Sequence, residues 1–161
     1  VKMGGDNPAE SDDIEFITIA TTGNATLFGE LTSNANGGSG MASPTRAVTS
    51  GGGTYPAYSN QIGYIEIATG GTAVDFGDRT VAQYRLGAVS NSRRVVMGGG
   101  APSFVNVMDS VQIASTGNAQ DFGDINNAVY VGGSAARFAK SSSFTTPGII
   151  LRDFGLSSLS A

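Results

Sequence analysis

The chain has 161 residues, a formal net charge of −4, 24 glycines, and no Cys, His or Trp. Without Cys or His it has no disulfide, no thiolate metal site, no Ser–His pair, and neither the commonest general base nor the commonest metal ligand. Its nine Lys and Arg are scattered, with Arg93-Arg94 the only basic doublet, so it carries no electrostatic footprint for nucleic acid or anionic membrane, and no apolar run approaches the roughly 20 residues of a membrane-spanning helix.

A repeat organises the rest. Gly4, Gly5, Pro8, Ile17, Ile19, Ala20, Gly23, Ala25, Phe28 and Gly29 recur 48 residues later as Gly52, Gly53, Pro56, Ile65, Ile67, Ala68, Gly71, Ala73, Phe76 and Gly77. A further 46 residues on they stand as Gly98, Gly99, Pro102, Val111, Ile113, Ala114, Gly117, Ala119, Phe122 and Gly123. Self-similarity at such a period marks an array of supersecondary units. The expected organisation is a last strand of a preceding unit at 1–5, then units at 6–53, 54–100 and 101–144, the third degenerate, with 145–161 unassigned. Because Val1-Lys2-Met3-Gly4-Gly5 matches Val95-Val96-Met97-Gly98-Gly99, the chain is expected to be part of a longer polypeptide, or one that was matured.

Taken in order, each unit opens with a Gly-Gly turn, where glycine tolerates positive φ and the Pro three residues on ends pairing. Strands are predicted at 14–20, 62–68 and 108–114, because aliphatic residues are kept at alternate positions while their neighbours drift. The Thr22-Gly23-Asn24, Gly70-Gly71-Thr72 and Thr116-Gly117-Asn118 triplets predict tight hairpins. Short return strands follow at 27–30, 75–78 and 121–124, each carrying the repeated Phe. Phe28, Phe76 and Phe122, kept amid changing neighbours, are read as packing anchors between repeats, and Gly53 and Gly99 as structural turn residues. The second unit continues with strands at 81–90 and 93–97. In the first, residues 34–40 are expected to form a looser loop. In the third, 129–133 is a plausible strand, and Ser141-Ser142-Ser143 stands where an apolar strand is expected.

Chemistry-bearing motifs are few. Asp75-Phe76-Gly77 and Asp121-Phe122-Gly123 match the metal-holding triplet of protein kinases, but the His-Arg-Asp loop cannot exist without His, and the triplet recurs with the repeat. Asp12, Asp13, Glu15, Asp75, Asp78, Asp121 and Asp124 offer oxygen ligands; no calcium-loop spacing is present and Leu27 replaces Asp75 in the first unit, so solvated turn carboxylates are the expectation. The glycine runs lack the Lys-Ser/Thr pair of a phosphate loop. An acid/base pair of carboxylates would be needed for a glycosidase, and nothing in the sequence places two together. No catalytic residue, cofactor or metal is therefore expected. Tyr55, Tyr58 and Tyr64, around the Pro56 loop, suit stacking on a sugar or a partner protein, although the loop varies as unconstrained surface would.

Four short strands per 46–48 residues, with a glycine doublet after the last, is the plan of one propeller blade. At Val95-Val96-Met97-Gly98-Gly99, followed by the strand from Met108 to Ile113, the chain resembles the kelch repeat. Arg85, twelve residues before Met97, falls where kelch repeats often carry Arg; the usual Trp is absent and the three Phe stand in. The stretches 14–30, 62–78 and 108–124 are similar to degenerate kelch-like repeats of marine bacteriophage structural proteins. The resemblance implies an all-β chain of kelch-like blades, forming a partial propeller or an open blade stack. It also implies a non-enzymatic structural or interaction module on a virion exterior (capsid decoration, tail or fibre), partnered by copies of itself or other virion proteins. The alternative is an extracellular adhesin segment binding a host glycan or receptor through the tyrosines. Three units fall short of the four to eight blades of a closed ring, so these residues are expected not to act alone.

Overall fold

Short segments in which burial alternates residue by residue, separated by glycine and proline, form strands because only the two-residue period of a pleated strand turns alternate side chains to one side. The structure, a computed structural model, describes residues 1–6, 10–33, 36–53, 56–129 and 135–136. Twelve strands are described: β1 (Lys2–Asp6), β2 (Glu10–Phe16), β3 (Thr26–Glu30), β4 (Ser39–Ala42), β5 (Arg46–Ser50), β6 (Gln61–Glu66), β7 (Val74–Asp78), β8 (Gly87–Ser90), β9 (Arg94–Gly98), β10 (Val105–Gln112), β11 (Gln120–Val129) and β12 (Ala135–Ala136). They form three sheets, ordered β1-β2-β3, β4-β5-β6-β7 and β11-β10-β9-β8-β12. Pairing is antiparallel throughout except where β12 joins β8 in parallel. Among the described residues there is no helix and no sheet closes on itself, so the chain is all-β, an open stack of three blades.

Each sheet takes its strands from both sides of a glycine run. Gly51, Gly52 and Gly53, all at positive φ, carry the chain from β5 to its neighbour β6. At Gly53, with φ +117, a Cβ would come within 2.6 Å of the Ala57 carbonyl, so the close return of the loop admits no side chain. Gly99 (φ +69) and Gly100 (φ +113) make the equivalent passage from β9 to β10.

The core lies between the sheets, as a blade stack requires. Ile14, Leu31, Ala47, Ile65 and Ala73 form one buried cluster between the first and second sheets, with Met3, Phe28 and Ile67 packed on it. Met41, Val48, Ile62 and Phe76 of the second sheet meet Leu86, Ala88, Val95, Met97, Val111 and Ile113 of the third in the other. The inner strands are also tied, since the Ser90 hydroxyl in β8 donates to the Ala42 carbonyl in β4 at 3.2 Å.

Every repeated Phe sits at a β-bulge. Ile14 pairs with Gly29 and Glu15 with Leu27, leaving Phe28 as the extra residue. The register slips in the same way around Phe76 and Phe122. In the second and third sheets the Asp of the Asp-Phe-Gly triplet stabilises the bulge, its carboxylate accepting from the N–H of Gly77 or Gly123 at 3.0 Å. Those glycines take φ +141 and +123; Gly29, preceded by Leu27 where the others have Asp, does not enter the positive-φ region. The kinase-like triplet is thus a bulge device.

Four expectations need correction. The second-unit strand predicted at 81–90 begins only at Gly87, after an isolated bridge from Tyr84 to Ala101. The strands predicted at 14–20, 62–68 and 108–114 end earlier, at Phe16, Glu66 and Gln112. The Glu66 carbonyl accepts from the N–H groups of Thr69 and Gly70 (3.3 and 3.1 Å), turning the chain out of the ladder. Consequently the connections are not tight hairpins: residues 17–25, 67–73 and 113–119 form wide loops. Finally, the region read as a loop at 34–40 runs at Ser39 into β4, because Ser39 and Met41 have a buried face to fill. The Pro8 turn, Asn34, Tyr55, the 129–133 strand beyond Val129, Ser141-Ser142-Ser143 and the tail 145–161 lie outside the described residues.

Candidate functional site: the open ends of the blade stack

The wide loops exist to reach the preceding sheet. β3 and β7 are outer edge strands, whose outward carbonyls have no strand neighbour and need donors. Gly71 N–H donates to the Phe28 carbonyl at 3.0 Å and Ala73 N–H to the Glu30 carbonyl at 2.7 Å. One repeat on, Gly117 N–H donates to the Phe76 carbonyl at 2.7 Å and Ala119 N–H to the Asp78 carbonyl at 2.8 Å. The four residues at one junction are the repeat equivalents of the four at the other. A Cβ on Gly29 would collide with the Gly71 carbonyl, and one on Gly77 with the Gly117 carbonyl, so close approach explains the repeated glycine.

Polar side chains add further contacts at the second junction. The Asp78 N–H donates to Asn118 Oδ1 at 3.0 Å. Arg46, paired with Glu66 at 2.6 Å and stacked over Tyr64, donates from Nη1 to the Ile113 carbonyl at 2.8 Å.

Side chains follow the same rule. Phe76 is 2% exposed and Ile113 also 2%, whereas their equivalents at the two ends of the stack, Phe122 and Ile19, are 48% and 95% exposed. Ile17 and Ala25 are exposed, while Ile65 and Ala73 are buried. Phe28 is half-buried, its ring edge against Phe16 at 5.4 Å and its atoms lying over Gly70. Residues that pack inside the stack are therefore on the surface at its ends.

The tyrosines separate. Tyr58 stacks flat on Tyr84, with ring centroids 4.7 Å apart, and lines an open recess of about 380 Å³ with Pro56, Gln83 and Pro102. Tyr64 is half-buried on the second sheet, edge-on to Phe76 at 5.7 Å and covered by Arg46. It does not line the recess that Tyr58 lines.

A buried ion pair escaped the sequence reading. Arg79 lies 3.2 Å from Asp109, both side chains fully buried. Asp109 also accepts from the Thr80 hydroxyl at 2.7 Å, and Arg79 donates to Gln83 Oε1 at 3.0 Å. Burial pushes the Arg79 guanidinium below its ordinary pKa, and the Asp109 carboxylate pulls it back. The repeat held the clue: Arg79 occupies the position of Leu31 and Ile125. An Arg among aliphatics at a core position needs a buried partner.

Among the described residues no three Asp or Glu side chains gather closely enough to hold a metal ion, and no helix is long and apolar enough to cross a membrane. The chain matches no protein-family model and no curated protein.

Proposed function

We propose that this chain is a non-enzymatic structural and interaction module of the kelch-like β-repeat kind, a bacteriophage virion protein on the particle exterior that assembles with copies of itself or with other virion proteins. The observation that carries the assembly part is the exposure of Ile17, Ile19 and Phe122 at the ends of a stack that buries or half-buries their equivalents at each internal junction. Large apolar side chains beside unpaired edge carbonyls are a surface built for a partner. The likeness of the repeats to phage structural proteins supports the virion part. Mass spectrometry and immunogold labelling of purified particles test it. Labelling of the exterior at regular copy number is expected; absence from particles overturns the virion reading.

The stacked Tyr58–Tyr84 pair at the recess favours a second reading, a glycan-binding adhesin segment. An apolar ring face beside buried amide and backbone groups suits a sugar. On a glycan array that reading requires a signal that Tyr58→Ala abolishes.

A further inference from the structure

We infer that the partner at the open ends is a second copy of this chain, seated head to tail in the register that joins its own repeats. This rests on the assembly reading above and specifies its interface. Phe122 and Asp124 are the equivalents of Phe76 and Asp78, and Gly23 and Ala25 those of Gly117 and Ala119. The geometry observed twice within the chain then places Gly23 N–H of the second copy on the Phe122 carbonyl, and its Ala25 N–H on the Asp124 carbonyl. β11 is the edge strand of its sheet, so these carbonyls face outward as those of β3 and β7 do.

The particular residues at the two ends fit each other beyond the backbone pattern. Asn24 is the equivalent of Asn118, so it is placed to accept from the Asp124 N–H as Asn118 accepts from Asp78. The first internal junction has Thr72 there instead. Arg94 is the equivalent of Arg46; it is exposed and lies over the Phe122 ring at 6.0 Å. Its counterpart contact is the Ile19 carbonyl, as Arg46 takes that of Ile113. The seated copy would cover Phe122 with Ile17, Ile19 and Ala25, whose equivalents are all buried or half-buried inside the stack. A Cβ at Gly123 meets nothing within 4 Å in the lone chain, whereas one at its equivalents Gly29 and Gly77 would collide with the seated loop, so the repeated glycine leaves room here for the same approach. Such a contact is heterologous, joining different patches on the two copies, so it builds a ring or a filament.

The absence of Cys makes a clean test. Asn24→Cys and Asp124→Cys chains are mixed under mild oxidation and run without reductant. The internal pair Asp78→Cys/Asn118→Cys, placed at the observed junction, serves as the geometric control. Covalent dimers in the mixture at least about tenfold above either variant alone are expected, from the requirement that unlike patches meet. Adding Phe122→Asp to the Asp124→Cys chain should remove them; Phe122 is exposed, so the fold survives, which a thermal melt checks. Equal homodimers in the single variants, or monomers throughout while the internal control closes, overturn the interface. In either case light scattering of the unsubstituted chain and particle labelling decide the assembly and virion readings separately.

Discussion

The two internal junctions share a backbone scheme but not a chemistry. Between the first and second sheets, Leu31 is buried at a position whose counterpart across the junction is Gly63. Between the second and third, the equivalents are Arg79 and Asp109, joined as a buried ion pair. The first junction accordingly seals with aliphatic contact, a half-buried Phe28 and an exposed Thr32–Gln61 hydrogen bond, the second with a fully buried Phe76, an ion pair, Asn118 and Arg46. Repetition of the fold therefore depends on the donors and carbonyls of the main chain, while side chains tell one junction from the other. A buried pair is weak as a source of net stability, since desolvation offsets its attraction, but strong against removal of one partner.

That difference is open to measurement by denaturant unfolding. Asp109→Ala leaves the Arg79 guanidinium buried beside no carboxylate and is expected to cost about 3–5 kcal/mol. The double variant Arg79→Leu/Asp109→Gly transplants the first junction's pair and should recover most of the loss. If it is no more stable than Asp109→Ala, the two junctions are not interchangeable at this position. Phe76→Ala should cost about 3–5 kcal/mol as a buried aromatic truncation. The same change at half-buried Phe28 should cost less, and at exposed Phe122 should stay within about 0.5 kcal/mol for the lone chain. Equal losses at all three would end the contrast between internal junctions and open ends.

Smaller effects probe the bulge and the surface. Asp75→Ala removes the carboxylate that accepts from Gly77 N–H and should cost about 0.5–1.5 kcal/mol. Leu27→Asp should not give the reverse gain while Gly29 stays outside the positive-φ region. The exposed Lys2–Glu15 pair, 3.2 Å apart, should be worth under about 1 kcal/mol and vanish in high salt, as a double-mutant cycle would show.

Much of the architecture was legible in the chain. Identical spacing of glycines, aliphatics and a lone Phe in three copies announced three equivalent β units, because equivalent backbone positions impose equivalent demands for positive φ and for burial. The return strands around Phe28, Phe76 and Phe122 were readable for the same reason. Their bulges were not, since a bulge is a mismatch between two strands and only the pairing reveals it. The triplets at Gly23, Gly71 and Gly117 resembled tight turns because glycine at positive φ, which Gly71 and Gly117 do adopt, serves a tight turn and a wide loop alike; the neighbouring blade, whose carbonyls take the Gly71 and Gly117 N–H groups, decides which. Arg79 shows the same boundary from the side of charge, for its departure from Leu31 and Ile125 was visible, but its partner thirty residues on was not.

By itself the sequence determined that the chain is a β repeat without His or Cys chemistry, since local periodicity and composition carry that information. Only the tertiary structure decided which donors each internal edge carbonyl would find, which Phe would be buried, and which apolar side chains would be exposed among the described residues. Those outcomes depend on what lies across a junction, and no residue encodes its neighbour in space.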